Sequence, residues 1–283
     1  MLRSMHDLQD YAIHATDGAI GHVKDFYFDD ESWVIRYLIV ETGAWLSSRK
    51  VLISPIAIGK ANWRDKLLPV AITKEQMRNS PDINTDKPVS RQQEIEYLGY
   101  YGYPYYWGGS GLWGGWGYPG LMMPATIGTP SYAGSTAPSN AVPPETAKLF
   151  EQAKAKRHEN DDLNLRSCEE VIGYHIDATD GDIGHIKGLL VDEETWAIRY
   201  LIVNTSHWWL GHEVLIASEW LQNVSWAEKT VSVNLTRQAV KDAPPYDSDS
   251  QLNRQEEMDI HEHYRRSGYW AAVAEREGEK SER

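Results

Sequence analysis

The chain has one cysteine, Cys168, in 283 residues. That excludes an internal disulfide framework and any multi-cysteine metal site. Cations are scarce: Lys and Arg total 28 against 41 Asp and Glu, a formal net charge of −13. A general nucleic-acid binder needs cations to displace phosphate counterions, and an anionic membrane surface would repel this balance. No apolar run approaches the roughly 18 residues of a membrane-spanning helix. The opening Met1-Leu2-Arg3-Ser4-Met5-His6-Asp7 lacks the apolar core of a secretory signal. A soluble, cytoplasmic protein is expected. Phe is nearly missing, at 3 residues, while Trp reaches 12 and Tyr 16.

Those aromatics are unevenly placed. Residues 97–118 read YLGYYGYPYYWGGSGLWGGWGY, with Pro104 inside and Pro119 and Pro124 beyond. No helical or strand period runs through this segment, and Gly and Pro at such density sustain neither ladder nor helix. A linker is expected, running on to Pro143-Pro144. Residues 145–158 then read as a short helix with good formers and an N-terminal proline.

Shifting the sequence by 163 residues superposes its two ends without a gap. Leu2-Arg3-Ser4 meets Leu165-Arg166-Ser167. Thr16-Asp17-Gly18-Ala19-Ile20-Gly21-His22 meets Thr179-Asp180-Gly181-Asp182-Ile183-Gly184-His185. Trp33 to Val40 meets Trp196 to Val203, and Val51-Leu52-Ile53 meets Val214-Leu215-Ile216. About 32 of the 80 pairs from Leu2 to Pro81 are identical. The register persists past them, since Arg91, Glu94 and Trp107 meet Arg254, Glu257 and Trp270. Two copies of one domain joined by a linker are predicted: 1–82, a connecting region 83–164 with a tail helix, aromatic linker and short helix, then 165–245, and a tail helix with a charged end at 246–283.

Each copy reads as mostly β. Short runs at 11–15, 21–29, 34–41, 50–54, 56–62 and 67–72 are separated by turn residues. Asp17-Gly18 and Asp180-Gly181 supply a turn, with Gly21 and Gly184 just beyond. Six short strands at this spacing predict a small closed barrel, because closure removes exposed edges. Residues 73–78 read as one helical turn capped by Thr73, with Pro81 after its stop.

The T-D-G-x-I-G-H turn, the W-x-I-R-Y-L-I-V strand, the V-L-I strand and the later Trp-bearing strand resemble the PRC-barrel family. The resemblance covers about 80 residues of each half and is closer to the branch of the photosynthetic reaction-centre H subunit than to the ribosome maturation factor. It implies two six-stranded barrels that bind other proteins, with no catalytic residue, cofactor or metal ligand to carry over.

The candidate chemistry is thin. His22 and His185 sit at equivalent places, and a metal role would draw on Asp17/Asp180 and Asp29/Asp192, but no ligand spacing recurs, so packing against the barrel is favoured. Arg36 and Arg199 lie mid-strand among apolar residues, which predicts a bidentate pair with a carboxylate across the hairpin, Asp29/Asp192 or Glu31/Glu194. The acidic turns lack calcium-loop spacing. His261-Glu262-His263 does not place both imidazoles on one helix face. Gly109 to Gly114 matches GxGxxG in letters but is not framed by strand and helix. Cys168 faces Met5 across the copies, so an apolar position is expected.

Surface aromatics remain. Trp45 and Trp208, with Trp209 beside the latter, sit in a loop whose neighbours change from basic to acidic between copies, and Trp113 and Trp116 lie in the linker. These are the expected protein contacts, since Trp dominates binding hot spots. The expected function is a non-catalytic adaptor for other proteins or for itself. The alternatives are a peripheral factor of a membrane or reaction-centre-type complex and, behind it, ribosome-maturation-like work. No specific nucleic acid is expected, and any membrane contact is peripheral.

Overall fold

The computed structural model describes residues 1–81, 89–107, 109, 111–122, 165–205, 212–248 and 250–271. The expected helix at 145–158 and the residues Trp208 and Trp209 lie outside them. Two compact units are present. Unit 1 comprises Met1, Arg3–Glu170 and Val191–Ile198; unit 2 comprises Leu2, Val171–Leu190 and Arg199–Arg283.

The elements of the first copy are β1 (Leu2–Ser4), α1 (Met5–Leu8), β2 (Ala12–Ala15), β3 (Gly18–Asp29), β4 (Val34–Thr42), β5 (Lys50–Ile53), β6 (Leu67–Pro69), α2 (Lys74–Arg78) and α3 (Arg91–Tyr101). Those of the second are β7 (Leu165–Ser167), α4 (Cys168–Val171), β8 (His175–Ala178), β9 (Gly181–Asp192), β10 (Ile198–Asn204), β11 (Glu213–Ala217), β12 (Leu221–Ser225), β13 (Thr230–Val233), α5 (Arg237–Lys241) and α6 (Arg254–His263).

In unit 1 the strands run in the order β5-β4-β3-β2-β6, with β7 paired to β3. Strand β4 is the spine: it is rich in β-branched residues and buried at every position except Glu41. Each fully buried Ile or Val contributes about 1.5–3 kcal/mol of hydrophobic stabilisation. Unit 2 repeats the order as β11-β10-β9-β8-β13-β12. In both, the short strand before the hairpin pairs parallel with a strand far along the chain, β2 with β6 and β8 with β13.

Two expectations are corrected. The strand predicted at 56–62 is a 3-10 turn at Pro55–Ala57, followed by isolated bridges Ile58↔Val70 and Asn62↔Leu67. Pro55 has no amide to donate, and Ser54 accepts from Ile56 N at 3.3 Å, which fixes the turn. The second copy has Ser218 in place of Pro55 and makes the same 3-10 turn at Ser218–Trp220, but there strand β12 follows it. The sixth strand of the first sheet is instead β7. The barrels are also not closed: among the described residues no ladder joins β5 to β6 or β11 to β12.

The open edge of β5 is covered by a side chain. Tyr97, on α3, donates its hydroxyl to the Leu52 carbonyl at 3.1 Å and accepts from Ser54 N at 3.1 Å. Helix α3 starts where Ser90 and Gln93 form a reciprocal cap, and it ends at Gly102 with φ 69°. The described part of the aromatic segment then folds over unit 1, unlike a linker. Tyr103, Tyr106 and Trp113 are all buried, Trp113 at 0% exposure. Gly109 and Gly111 permit this, since a Cβ on them would lie 2.3 Å from Gly114 C and 2.5 Å from Trp116 O.

Candidate functional site

A groove of about 420 Å³ opens on unit 1 beside the β2–β3 hairpin. His14, Ile20, His22, Glu41, Trp45 and Ser48 are among its lining residues. Its shape follows from the shared turn. Gly18 sits at φ 132°, and Asp17 Oδ1 accepts the Lys74 amide at 2.9 Å, so the turn is tied to the first turn of α2. Gly21 is needed for space: a Cβ there would lie 1.9 Å from the Glu41 carbonyl oxygen. Unit 2 repeats the device. Asp180 Oδ1 accepts Arg237 N at 2.7 Å, Gly181 has φ 130°, and a Cβ on Gly184 would lie 2.1 Å from Asn204 O.

The opposite wall is the loop after β4. Thr42 Oγ1 donates to the Arg49 carbonyl at 2.7 Å, and Ser47 and Ser48 both adopt left-handed backbone, φ 54° and 55°. This holds Trp45 half-buried, its Nε1 donating to the Ile20 carbonyl at 2.6 Å. The Lys74 ammonium lies 5.4 Å from its ring centroid. Thr205 makes the matching bond to the His212 carbonyl at 2.8 Å in unit 2.

His22 is exposed and pairs across the ladders with Ala12 and Glu41. His185 pairs with His175, whose Nδ1 lies 3.1 Å from Asp182 Oδ2. Neither histidine stands beside Asp29 or Asp192 in a ligand set; among the described residues no cluster of three or more His, Cys, Asp or Glu could hold a metal. Among the same residues, no helix is long and apolar enough to cross a membrane. Trp116 is exposed, as are Tyr118 and Leu121. Cys168 is buried, and burial pushes its thiol well above the usual range.

The groove's unit also contains a buried ionic cluster that sequence reasoning missed. Arg36 reaches Asp29 Oδ2 at 3.5 Å through Nη2 alone, not as the expected bidentate pair; it donates more closely to the Leu112 carbonyl at 2.7 Å and lies 3.9 Å from the Tyr106 ring centroid. Glu94, at 0% exposure, accepts from Arg91 Nη1 at 2.7 Å, from the Tyr37 hydroxyl at 3.2 Å and from the Tyr106 hydroxyl. Burial pushes the Glu94 carboxyl up, against the lowering pull of Arg91. Unit 2 repeats the pattern 163 residues on: Arg254 donates to Glu257 at 2.7 Å, Tyr269 donates to Glu257 at 2.8 Å, and Arg199 lies 4.0 Å from the Tyr269 centroid. Burial, with Glu257 second, pushes the Tyr269 hydroxyl up to about 12. The persistent Arg, Glu and Trp positions were the available signal. These groups pair with one another, and they clamp the tail helix and the aromatic segment.

Residues 3–77 match the PRC-barrel domain family. The PRC-barrel match takes in β2 to β6, the Asp17-Gly18 turn, Gly21 and Trp45, and ends before α3 and the aromatic clamp. The chain is also 29% identical over 90 residues to an uncharacterized protein of Deinococcus radiodurans. That similarity spans 31% of this chain and 32% of the relative's length.

Proposed function

We propose that the chain is a non-catalytic protein-binding module built from two PRC barrels, the second related to the first by the 163-residue repeat. The groove beside Trp45 carries this reading. It joins a half-buried indole, an apolar floor and exposed polar rims, the composition of a recognition site for a segment of another protein. The second barrel is supported by the repeated strand order, the repeated Asp-capped turn and the repeated Arg-Glu-Tyr clamp.

The test is affinity capture from native lysate with the full-length chain, compared with Trp45→Ala and with Ser48→Glu at the exposed rim. A thermal melt checks that each variant is folded. Capture of a defined protein by the wild type, lost in both folded variants, supports the reading. Equal capture by all three, or recovery of a stoichiometric small-molecule cofactor with the wild type, sinks it.

A second reading, a peripheral factor of a membrane complex as in the reaction-centre H-subunit branch, draws support from the exposed Trp116, Tyr118 and Leu121. Flotation with liposomes separates it from the first: a chain that stays at the bottom of the gradient has no such role.

A further inference from the structure

Unit 1 contains segments of both copies, and they meet with exchanged roles. Ile35 N donates to the Trp196 carbonyl, and Ile198 N donates to the Trp33 carbonyl, each at 2.8 Å. Val34 and Ala197 face each other as an antiparallel bridge between them. Under the 163-residue shift Trp33 becomes Trp196 and Ile35 becomes Ile198, so each bond maps onto the other. A contact in which i meets j and j meets i is what a two-fold axis creates between identical subunits. Here one chain supplies both sides.

A whole strand is supplied in the same way. Strand β7, the opening strand of the second copy, pairs with the far end of β3 in the register Tyr27↔Ser167, Phe28↔Arg166, Asp29↔Leu165. Its side chains are received as well as its backbone. Leu165 is buried, Ser167 donates its hydroxyl to Asp25, Glu169 N donates to the same carboxylate at 3.2 Å, and Arg166 Nε reaches Asp30 Oδ2 at 3.5 Å. The features read by this acceptor are a Leu, an Arg and a Ser in strand order. The chain carries that tripeptide twice, as Leu165-Arg166-Ser167 and as Leu2-Arg3-Ser4. The acceptor is thus complementary to sequence present in every copy of the protein.

We propose that the Tyr27–Asp29 edge of β3 is a strand-acceptor site for the Leu-Arg-Ser sequence, which a second copy of this chain fills by strand exchange. Tethering favours the intramolecular donor, because a linked strand has an effective concentration on the order of mM. Exchange between molecules therefore occurs when strands are freed and re-pair at high protein concentration. This site is separate from the Trp45 groove, and its failure leaves the binding reading of that groove intact.

The test uses the full-length chain with Cys168→Ala and the cysteine pair Tyr27→Cys and Ser167→Cys. Opposed residues of an antiparallel pair lie roughly 4.5–5.5 Å apart at Cα, within disulfide range. Equal amounts of unlabelled and isotopically heavy chain are unfolded together in urea and refolded, dilute or concentrated, under oxidising conditions. Mass spectrometry of the cross-linked peptides then reads which chains are joined. Dilute refolding should give the 27–167 link within one chain, and concentrated refolding should add covalent dimers whose link joins light to heavy chain. Native mass spectrometry of the unsubstituted chain, refolded the same way, should show mixed-isotope dimers. It serves as the readout if the cysteine variant does not fold. Links confined within single chains and an absence of mixed dimers at every concentration would overturn the proposal.

Discussion

His261 stands in the second copy where the first has Leu98. Both side chains are buried, at 2% and 1% exposure, on the tail helices α6 and α3. The imidazole is fully engaged: Nδ1 donates to the Ser267 carbonyl at 3.0 Å, which leaves Nε2 to accept from the Tyr200 hydroxyl at 2.9 Å. The Trp220 and Trp270 rings flank it, with centroids 4.9 and 4.8 Å away. Burial lowers its pKa, and nearby Arg254 lowers it further, against the raising effect of its backbone bonds.

A pH dependence of unit 2 follows. A base with a lowered folded pKa takes up its proton more readily when unfolded. The stability it contributes is complete above the unfolded value of about 6.5 and is lost as pH falls below it. His261→Leu, which restores the residue of the first copy, should reduce the fall in melting temperature between about pH 7 and pH 5. The slope is the readout, since the substitution also removes two hydrogen bonds. An unchanged slope would show that His261 does not titrate in unfolding.

The buried clamp of unit 1 makes a second prediction. Glu94→Gln removes the charge facing Arg91 and should cost about 3 kcal/mol or more in urea unfolding, because the guanidinium stays buried beside it. Tyr106→Phe removes only the hydroxyl bridge and should cost about 1–2 kcal/mol. If the two effects simply add in the double variant, Glu94 and Tyr106 are not acting as one network.

Gly21 gives the third. Gly21→Ala should destabilise unit 1 by about 3 kcal/mol, since the methyl would enter the β3–β4 ladder at Glu41. Ala19→Gly in the same hairpin is the control and should cost less than about 1 kcal/mol. Equal losses would mean that the close approach to the Glu41 carbonyl relaxes freely.

The chain announced its strands more clearly than its partners. Trp33 to Val40 is legible as β4 because β-branched residues fill it, and the Asp17-Gly18 turn because those residue types suit it. That Asp17 also caps α2 was hidden, since Lys74 lies 57 positions away. Residues 56–62 are not a strand because the chain first turns at Pro55–Ala57 and Gly59 then weakens the run, whereas the second copy has Gln222 at that place, within β12. Residues 97–118 looked like a linker because composition does not tell where a tyrosine hydroxyl goes; Tyr97, Tyr106 and Trp113 each hydrogen-bond a residue far along the chain or across the clamp, Leu52, Glu94 and Thr195. The pairing of β7 with β3 was unreadable for a different reason. Two identical Leu-Arg-Ser strands fit either sheet equally well on paper. Of the candidate site, Trp45 and the glycines were visible, but the groove needed the loop conformation at Ser47 and Ser48.

The hydroxyl of Tyr97 has a consequence for how this protein behaves in a crowded solution. An unprotected sheet margin is a template onto which other chains add and aggregate. One phenolic oxygen occupies both the Leu52 acceptor and the Ser54 donor, so a newcomer to the margin at β5 must displace it. Where the second copy has Ile260 instead, the Tyr246 amide caps the Glu213 carbonyl at 2.7 Å. The second half thus blocks its corresponding strand at another position, Glu213, and with a backbone amide instead of a phenol.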